Sequence, residues 1–221
     1  MTVAARENAE NVNRWVEPAW AQRYLRERGD IPHRSEGVGV LVELLPPSPR
    51  RVLDLGTGDG YLMGVVRQER SGVTGIACDF SDEMLDHARA RFAATDDVDV
   101  VRHDLDEPLP DEWGEFDVVT SSFAIHHLVD DRKRALYGEV LAHLAPGGVF
   151  FNLEHVASPT PELHLEFLTA IGKTPDTDDP SNKLAPLETQ LEWLRDLGYE
   201  HVDCHWKWRE LALLSGRKPW E

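Results

Sequence analysis

Three glycines follow a short apolar segment of the sequence at every second position. The segment VLDL (residues 52–55) is followed by Gly56, Gly58 and Gly60. Val and Leu favour an extended, packed backbone, whereas glycine adds no side-chain bulk and allows positive φ angles. A loop that joins a strand to a helix presents backbone N–H groups and the positive end of the helix dipole. The spacing therefore predicts that a ligand approaches the main chain closely at this loop.

The carboxylate of Asp54 distinguishes between two ligands that bind such loops. A dinucleotide-binding loop has the spacing G-x-G-x-x-G, and the loop here, G-T-G-D-G, is one residue shorter. A carboxylate at the end of the strand repels a pyrophosphate but attracts an ammonium group. The pattern therefore favours the amino-acid end of S-adenosylmethionine over the pyrophosphate of a nicotinamide cofactor.

Predicted strands and helices alternate along the middle of the chain. Such alternation is typical of an α/β fold, here a doubly wound, Rossmann-like sheet that is mostly parallel, with helices on both faces. Ligands bind these sheets at the carboxyl ends of the strands, where the strand order reverses. We predict strands at 51–55, 73–79, 98–104, 116–122 and 148–155, and helices between them at 59–70, 81–94 and 130–144.

The two ends of the chain have different patterns. We expect residues 1–48 to form a helical lid on a single compact domain that covers residues 49–221. Two strand-like runs near the C-terminus, EHVDCHWKW and LALLSGRK, indicate an antiparallel hairpin that completes a seven-stranded sheet. The other predicted segments are helices at 12–28, 34–45, 160–171 and 186–198, a turn at 146–148 and a long loop at 172–186.

Composition restricts the classes of partner. The 221 residues carry a formal net charge of −17 at pH 7, which disfavours nucleic acids and anionic membranes and weakly favours a neutral or cationic ligand. No apolar run approaches the roughly 18 residues of a membrane-spanning helix, and no signal peptide is evident. Two cysteines far apart in the sequence fit a reducing compartment. We therefore expect a cytoplasmic protein that does not bind membranes, and its oligomeric state stays open.

Five motifs, in order along residues 50–155, resemble those of the class I S-adenosylmethionine-dependent methyltransferases. They are DLGTGDG, ACDFSDEML, HDLDEPLP, FDVVTSSFAIHHL and APGGVFFNLEH. The resemblance implies S-adenosylmethionine as the cofactor and a small-molecule methyl acceptor. The more specific resemblance is to small bacterial enzymes of the trans-aconitate and tRNA-wobble-uridine carboxymethylating groups. The arginine that holds the carboxylated cofactor of the latter group has no match here, and the net charge argues against tRNA.

The same resemblance assigns the cofactor-binding positions. Asp54 and the three loop glycines, Gly56, Gly58 and Gly60, would surround the methionine part. Asp79 would accept hydrogen bonds from both ribose hydroxyls, since one carboxylate satisfies two donors. The remaining positions are Phe80 and Met84 against the adenine, Asp104 and the Leu105 backbone at the adenine amino group, and Ser121 and Phe123 beside the sulfonium.

Candidate residues for the methyl acceptor follow the fourth and fifth strands. His126 and His127 are candidate general bases, because an imidazole titrates near neutral pH. Glu154 and His155 are further candidates, and their spacing is not specific enough for a metal site. Other expected acceptor contacts are Tyr24, Trp15 and Trp20 in the lid, His33 and Arg34 at its junction, and Trp206 and Trp208, which share a strand face that equally fits the core.

Two other classes of function remain as alternatives. A non-catalytic module that binds S-adenosylmethionine and regulates a partner would have the cofactor site without an acceptor pocket. A nicotinamide oxidoreductase would need a longer glycine loop and a substrate domain. The leading hypothesis is a methyltransferase that acts on a small molecule.

Overall fold

The computed structural model describes residues 31–221, which form a seven-stranded sheet with helices on both faces. The predicted helix at 12–28, most of the predicted lid, and Trp15, Trp20 and Tyr24 lie outside the described residues. The strands are β1 (Arg51–Leu55), β2 (Thr74–Asp79), β3 (Val98–Arg102), β4 (Phe116–Ser122), β5 (Leu144–His155), β6 (Glu200–Trp208) and β7 (Leu211–Arg217). The helices are α1 (Arg34–Leu44), α2 (Tyr61–Glu69), α3 (Asp82–Phe92), α4 (Asp130–His143), α5 (Pro161–Ala170) and α6 (Leu187–Leu197).

The strand order is β3-β2-β1-β4-β5-β7-β6. Strands β1 to β5 pair in parallel, and β7 pairs antiparallel with both β5 and β6. The order reverses between β1 and β4, so their carboxyl ends form the crevice at which such sheets bind ligands. The predicted fold class, including the C-terminal hairpin, is confirmed.

Alternate side chains of β1 belong to different cores, as the two-residue period of a strand requires. Val52 packs in the core on the α1 and α2 side, whereas Leu53 packs in the core on the α4 and α6 side. Both side chains are fully buried. Burial on both faces explains why β1 has an almost continuous apolar sequence.

Two helix boundaries agree with their predicted signals. The Ser81 hydroxyl accepts a hydrogen bond from the Met84 backbone N–H and caps α3. Gly198 follows α6 with a φ angle of 102° and ends it in the left-handed conformation.

The predicted turn at 146–148 is wrong, because α4 passes directly into β5. His143 ends the helix, and Leu144 already pairs with Phe116 of β4. The register then shifts between Phe116 and Val118, and Gly147 has a φ angle of 73° within the strand. An irregularity of this kind accommodates Pro146 inside a strand, so the turn-forming residues mark a bulge.

Candidate active site

A cavity opens at the carboxyl ends of β1, β2 and β4, where the strand order reverses. Its empty space, including the open mouth, amounts to about 1030 Å³. Most residues predicted for the cofactor line it: Asp54, Gly56, Gly58, Asp79, Phe80, Met84, Asp104, Leu105 and Phe123. Arg34 and His127 from the predicted acceptor set line it as well.

The glycine loop has the positive φ angles that its sequence predicts. Gly56 and Gly58 have φ angles of 62° and 57°. A Cβ at Gly56 would lie 2.2 Å from the Ala124 Cβ, whereas a Cβ at Gly58 would meet nothing within 4 Å. Gly56 is therefore required by packing, and Gly58 leaves room beside the main chain for a ligand.

Gly60 has a packing function in place of the predicted cofactor contact. It does not line the cavity but precedes α2 with a φ angle of 77°. A Cβ there would lie 2.6 Å from the Phe92 ring. Glycine at this position lets α2 and α3 approach closely.

Asp54 is a buried carboxylate held by two hydroxyl groups. Thr57 Oγ1 donates to Oδ2 at 2.5 Å, and Thr120 Oγ1 donates to Oδ1 at 2.8 Å. Burial raises the pKa of Asp54 to about 6, and these hydrogen bonds oppose that rise. A cation in the cavity would stabilise the ionised form and lower the pKa again.

Asp79 is the last residue of β2, and both of its carboxylate oxygens accept hydrogen bonds from backbone N–H groups. Its Oδ2 accepts from the Gly58 N–H and its Oδ1 from the Ser81 N–H, each at 2.9 Å. Burial raises its pKa above the ordinary value. A carboxylate has about four acceptor positions, so capacity for further donors remains on the cavity side.

The far end of the cavity contains a residue that the sequence prediction missed. His103 lines it next to the predicted Asp104 and Leu105. Its ring stands edge-on to Trp113 at 5.1 Å between centroids, and burial lowers its pKa. Its position directly before Asp104, at the end of a strand, was the available signal.

The predicted position of Ser121 beside the sulfonium is not supported. Ser121 is fully buried, does not line the cavity, and its hydroxyl donates to the Leu55 carbonyl at 3.0 Å. Ser122 and Phe123 line the cavity instead. Because successive residues of a strand face opposite ways, an error of one position moves the side chain out of the site.

The two adjacent histidines have different environments. His127 lines the cavity, and its Nδ1 lies 3.3 Å from the Ser181 carbonyl oxygen. His126 lies behind it, with ring centroids 4.1 Å apart, and its Nδ1 lies 2.6 Å from Glu154 Oε1. Neither His126 nor Glu154 lines the cavity, so their predicted contact with the acceptor is not supported.

Burial is the largest influence on the pKa values of His126, His127 and Glu154. It lowers the pKa of His127 to about 3 and that of His126 well below its ordinary value. It also raises the pKa of Glu154 to about 7. Both imidazoles are therefore neutral near pH 7, and a neutral imidazole has a lone pair that accepts a proton.

Comparison with known proteins finds similarity in the part of the chain that surrounds this cavity. Residues 52–148 match the protein family described as "Methyltransferase domain". The matched residues include the glycine loop and strands β1 to β4. The match bears out the resemblance derived from the five motifs and, with it, the expectation of S-adenosylmethionine as the cofactor.

Curated relatives of this chain are longer than the part that matches it. A demethylmenaquinone methyltransferase of Clavibacter sepedonicus is 36% identical over 116 residues, 52% of this chain and 45% of that protein. One from Thermus thermophilus is 34% identical over 139 residues, 62% of this chain and 60% of that protein. The chain thus spans about half the length of these relatives.

A solved structure is similar to this chain in fold. An O-methyltransferase family protein from Burkholderia thailandensis superposes with a TM-score of 0.74 and 21% identity. The superposition covers 98% of this chain and 67% of that one. At this identity the likeness concerns the fold alone.

The two tryptophans of β6 are partly buried, pack against the core and do not line the cavity. Trp206 packs against the core on the α1 side, and Trp208 stacks on His33 at 4.3 Å and meets Phe167 edge-on at 6.1 Å. This packing favours the core alternative for this strand face. His155 is also absent from the cavity lining, because it bonds to Glu210.

Glu210 is the centre of a buried polar cluster outside this cavity. It is 0% exposed and accepts hydrogen bonds from His155 at 2.8 Å, from His164 at 2.9 Å and from Ser158. These hydrogen bonds hold its pKa below the ordinary value although burial opposes them. The cluster fastens α5 and the chain before it to the β6–β7 turn.

The long loop after α5 supplies two cavity residues that the sequence prediction missed. Ser181 and Lys183 line the cavity together with His127. Arg34, far from them in the sequence, also lines the cavity. Its Nη2 donates to Ser122 Oγ at 3.4 Å. Its guanidinium also lies 5.6 Å from the Phe123 ring centroid.

No helix among residues 31–221 is long and apolar enough to cross a membrane. In the same part of the chain, no group of three or more His, Cys, Asp or Glu side chains could hold a metal ion.

Proposed function

We propose that the chain is an enzyme that transfers the methyl group of S-adenosylmethionine to a small-molecule acceptor. The observation that carries this proposal is that Asp54, Asp79 and the open Gly58 line the same cavity as the neutral His127. A cofactor bound at Asp54, Asp79 and Gly58 would meet an acceptor beside His127 inside the same cavity.

The cofactor-side residues fit the chemical groups of S-adenosylmethionine. Asp54 suits the ammonium group, because its carboxylate is already oriented by Thr57 and Thr120. Asp79 suits the two ribose hydroxyls, since its oxygens retain acceptor capacity. Phe80 and Met84 offer apolar surface to the adenine ring at the same end of the cavity as Asp104 and Leu105.

The acceptor-side residues would orient a nucleophile and accept its proton. When bound, S-adenosylmethionine supplies an electrophilic methyl group on a positively charged sulfur. Phe123 and Ser122 would limit where the acceptor can lie, and such positioning supplies up to ~7–11 kcal/mol of the barrier reduction. His127 would accept the proton of a hydroxyl acceptor. His126, fixed by Glu154, would hold the His127 ring by packing against it.

A small acceptor is favoured over a macromolecule by two observations. The relatives described above are named as methyltransferases of a demethylated menaquinone, and the structural neighbour as an O-methyltransferase family protein. The net charge of −17 repels polyanions such as tRNA. We further propose that the lid predicted for residues 1–48 closes over the cavity with the part that precedes α1, because α1 itself packs in the core of the sheet.

The experiment is a metabolite screen in which S-adenosylhomocysteine is measured after incubation with S-adenosylmethionine. We expect release that depends on at least one small acceptor and is lost in Asp79→Asn. Calorimetry with S-adenosylmethionine and with NAD runs beside it. Tight cofactor binding with no acceptor found would favour the regulatory module, and release with tRNA alone would favour the tRNA-modifying alternative. Binding of NAD without S-adenosylmethionine would refute the proposal.

A further inference from the structure

Acidic and basic residues line different parts of the cavity wall, and Asp106 is close enough to Lys183 to attract it. The carboxylates all belong to the ends of β1, β2 and β3 and the loops that follow them: Asp54, Asp59, Asp79, Asp104 and Asp106. The cations, Arg34 and Lys183, instead contact the segment after β4. Arg34 donates to Ser122 Oγ, and Lys183 Nζ donates to the His127 carbonyl at 2.5 Å. Positive charge is therefore concentrated beside the proposed acceptor.

The backbone of Lys183 is held in place by several hydrogen bonds. Its N–H donates to the His126 carbonyl at 2.9 Å. Its own carbonyl accepts from the ammonium of Lys133, a side chain only 1% exposed that also contacts Asp130 at 2.7 Å. Two residues further along, the Ala185 carbonyl accepts from the Ala157 N–H at 3.0 Å. This loop is thus a fixed part of the cavity wall.

The ammonium of Lys183 has no carboxylate partner among residues 31–221. Its one hydrogen bond there goes to a neutral carbonyl, and an ammonium has three donors. Partial burial lowers its pKa, attraction to Asp106 opposes that change, and repulsion from Lys133 adds to it. In a protein of net charge −17, a cation left without an ion pair in a cavity wall is suited to an anionic ligand.

We propose that the methyl acceptor carries an anionic oxygen group, a carboxylate or an ionised hydroxyl, and that Lys183 binds it. This inference rests on the proposed function, because it concerns the acceptor of the same cavity. It reverses the weak expectation of a neutral or cationic ligand from the net charge. The overall charge describes the surface, whereas the acceptor meets the local charge of Lys183 and Arg34.

The test compares two probes of equal size, benzoate and benzamide, on protein saturated with S-adenosylhomocysteine. Dissociation constants are measured by calorimetry or NMR titration for the native protein, Lys183→Gln, Lys183→Arg and Lys173→Gln. Lys173 is the matched control because it is an exposed lysine at the start of the same loop. We expect the native protein to bind benzoate about tenfold more tightly than benzamide, the effect of one charge-assisted hydrogen bond.

Each outcome supports or overturns the proposal. Lys183→Gln should lose the preference for benzoate, Lys183→Arg should retain most of it, and Lys173→Gln should match the native protein. Equal affinity of the two probes for the native protein, no benzoate binding at all, or full benzoate binding by Lys183→Gln would overturn it. Failure of the proposed function is read separately, from the release of S-adenosylhomocysteine in the metabolite screen, which does not depend on benzoate or on Lys183→Gln.

Discussion

Asp79→Asn tests the proposed ribose contact, and its effect follows from the bonding of the carboxylate. Both oxygens of Asp79 already accept a backbone N–H, from Gly58 and from Ser81. An amide replaces one oxygen by a donor, which removes acceptor positions and faces one of those N–H groups with another donor. A hydrogen bond to a charged group contributes ~1.5–3 kcal/mol. The loss of one should therefore increase the cofactor Kd by a factor of about 10 to 100.

The assay is calorimetric titration with S-adenosylmethionine and with S-adenosylhomocysteine. Both should weaken equally, because they share the ribose. Asp82→Asn is the control, since Asp82 has a side chain that is 76% exposed at the start of α3. Asp79→Ala should weaken binding at least tenfold. An Asp79→Asn protein that is folded, as judged by its melting temperature, and binds with an unchanged Kd would refute the reasoning.

Three further substitutions test other features. Gly56→Ala should lower the melting temperature more than Gly58→Ala, because only the former adds a clash, at 2.2 Å, to the strain of a positive φ angle; equal melting temperatures would contradict this. His127→Gln should lower kcat by about 10²–10⁴-fold with an unchanged cofactor Kd, while His87→Gln on an exposed face leaves both unchanged. Since the pKa of His127 is about 3, its own titration adds no decrease of kcat near pH 6.5, so the native protein and His127→Gln should have pH profiles of the same shape there; a decrease at that pH in the native protein alone would argue against a neutral His127 as the base. The pKa of Glu210 in the folded protein lies below its ordinary value of 4.5. Ionised Glu210 therefore stabilises the native protein above pH 4.5, and this stabilisation is lost as the pH falls through the lowered pKa. Thermal unfolding of Glu210→Gln should therefore depend less on pH in that acid range, and a profile parallel to the native one would count against the cluster.

The cofactor side of the cavity could be predicted because its signals are local in the sequence. A glycine loop after a buried strand, and an acid at the end of the next strand, each indicate a position at the edge of a parallel sheet. The structure brings Gly58, Asp54 and Asp79 to one cavity as those signals require. Ser121 was misplaced because its prediction depended on the register at the last residue of a strand, where one position reverses the direction of the side chain.

The acceptor side could be predicted only in part, because it depends on contacts distant in the sequence. His126 and His127 are adjacent in a short 3₁₀ turn, and spacing alone does not reveal which ring faces the cavity. The packing of Trp206 depends on α1, far away in the chain. Lys183 belongs to a segment whose turn-forming composition indicates a loop but not the hydrogen bonds that fix it against His126.

Hydrogen bonds to neighbouring elements hold the glycine loop in place. Arg91 of α3 donates to the Asp59 carbonyl at 2.8 Å and to the Asp59 carboxylate at 2.5 Å. The Thr57 N–H donates to the Cys78 carbonyl at 2.8 Å. The loop therefore loses most of its conformational entropy during folding, and association need not supply that ordering. Affinity at this preorganised edge is then governed by the complementarity of the ligand, and stiffening the loop further would gain little.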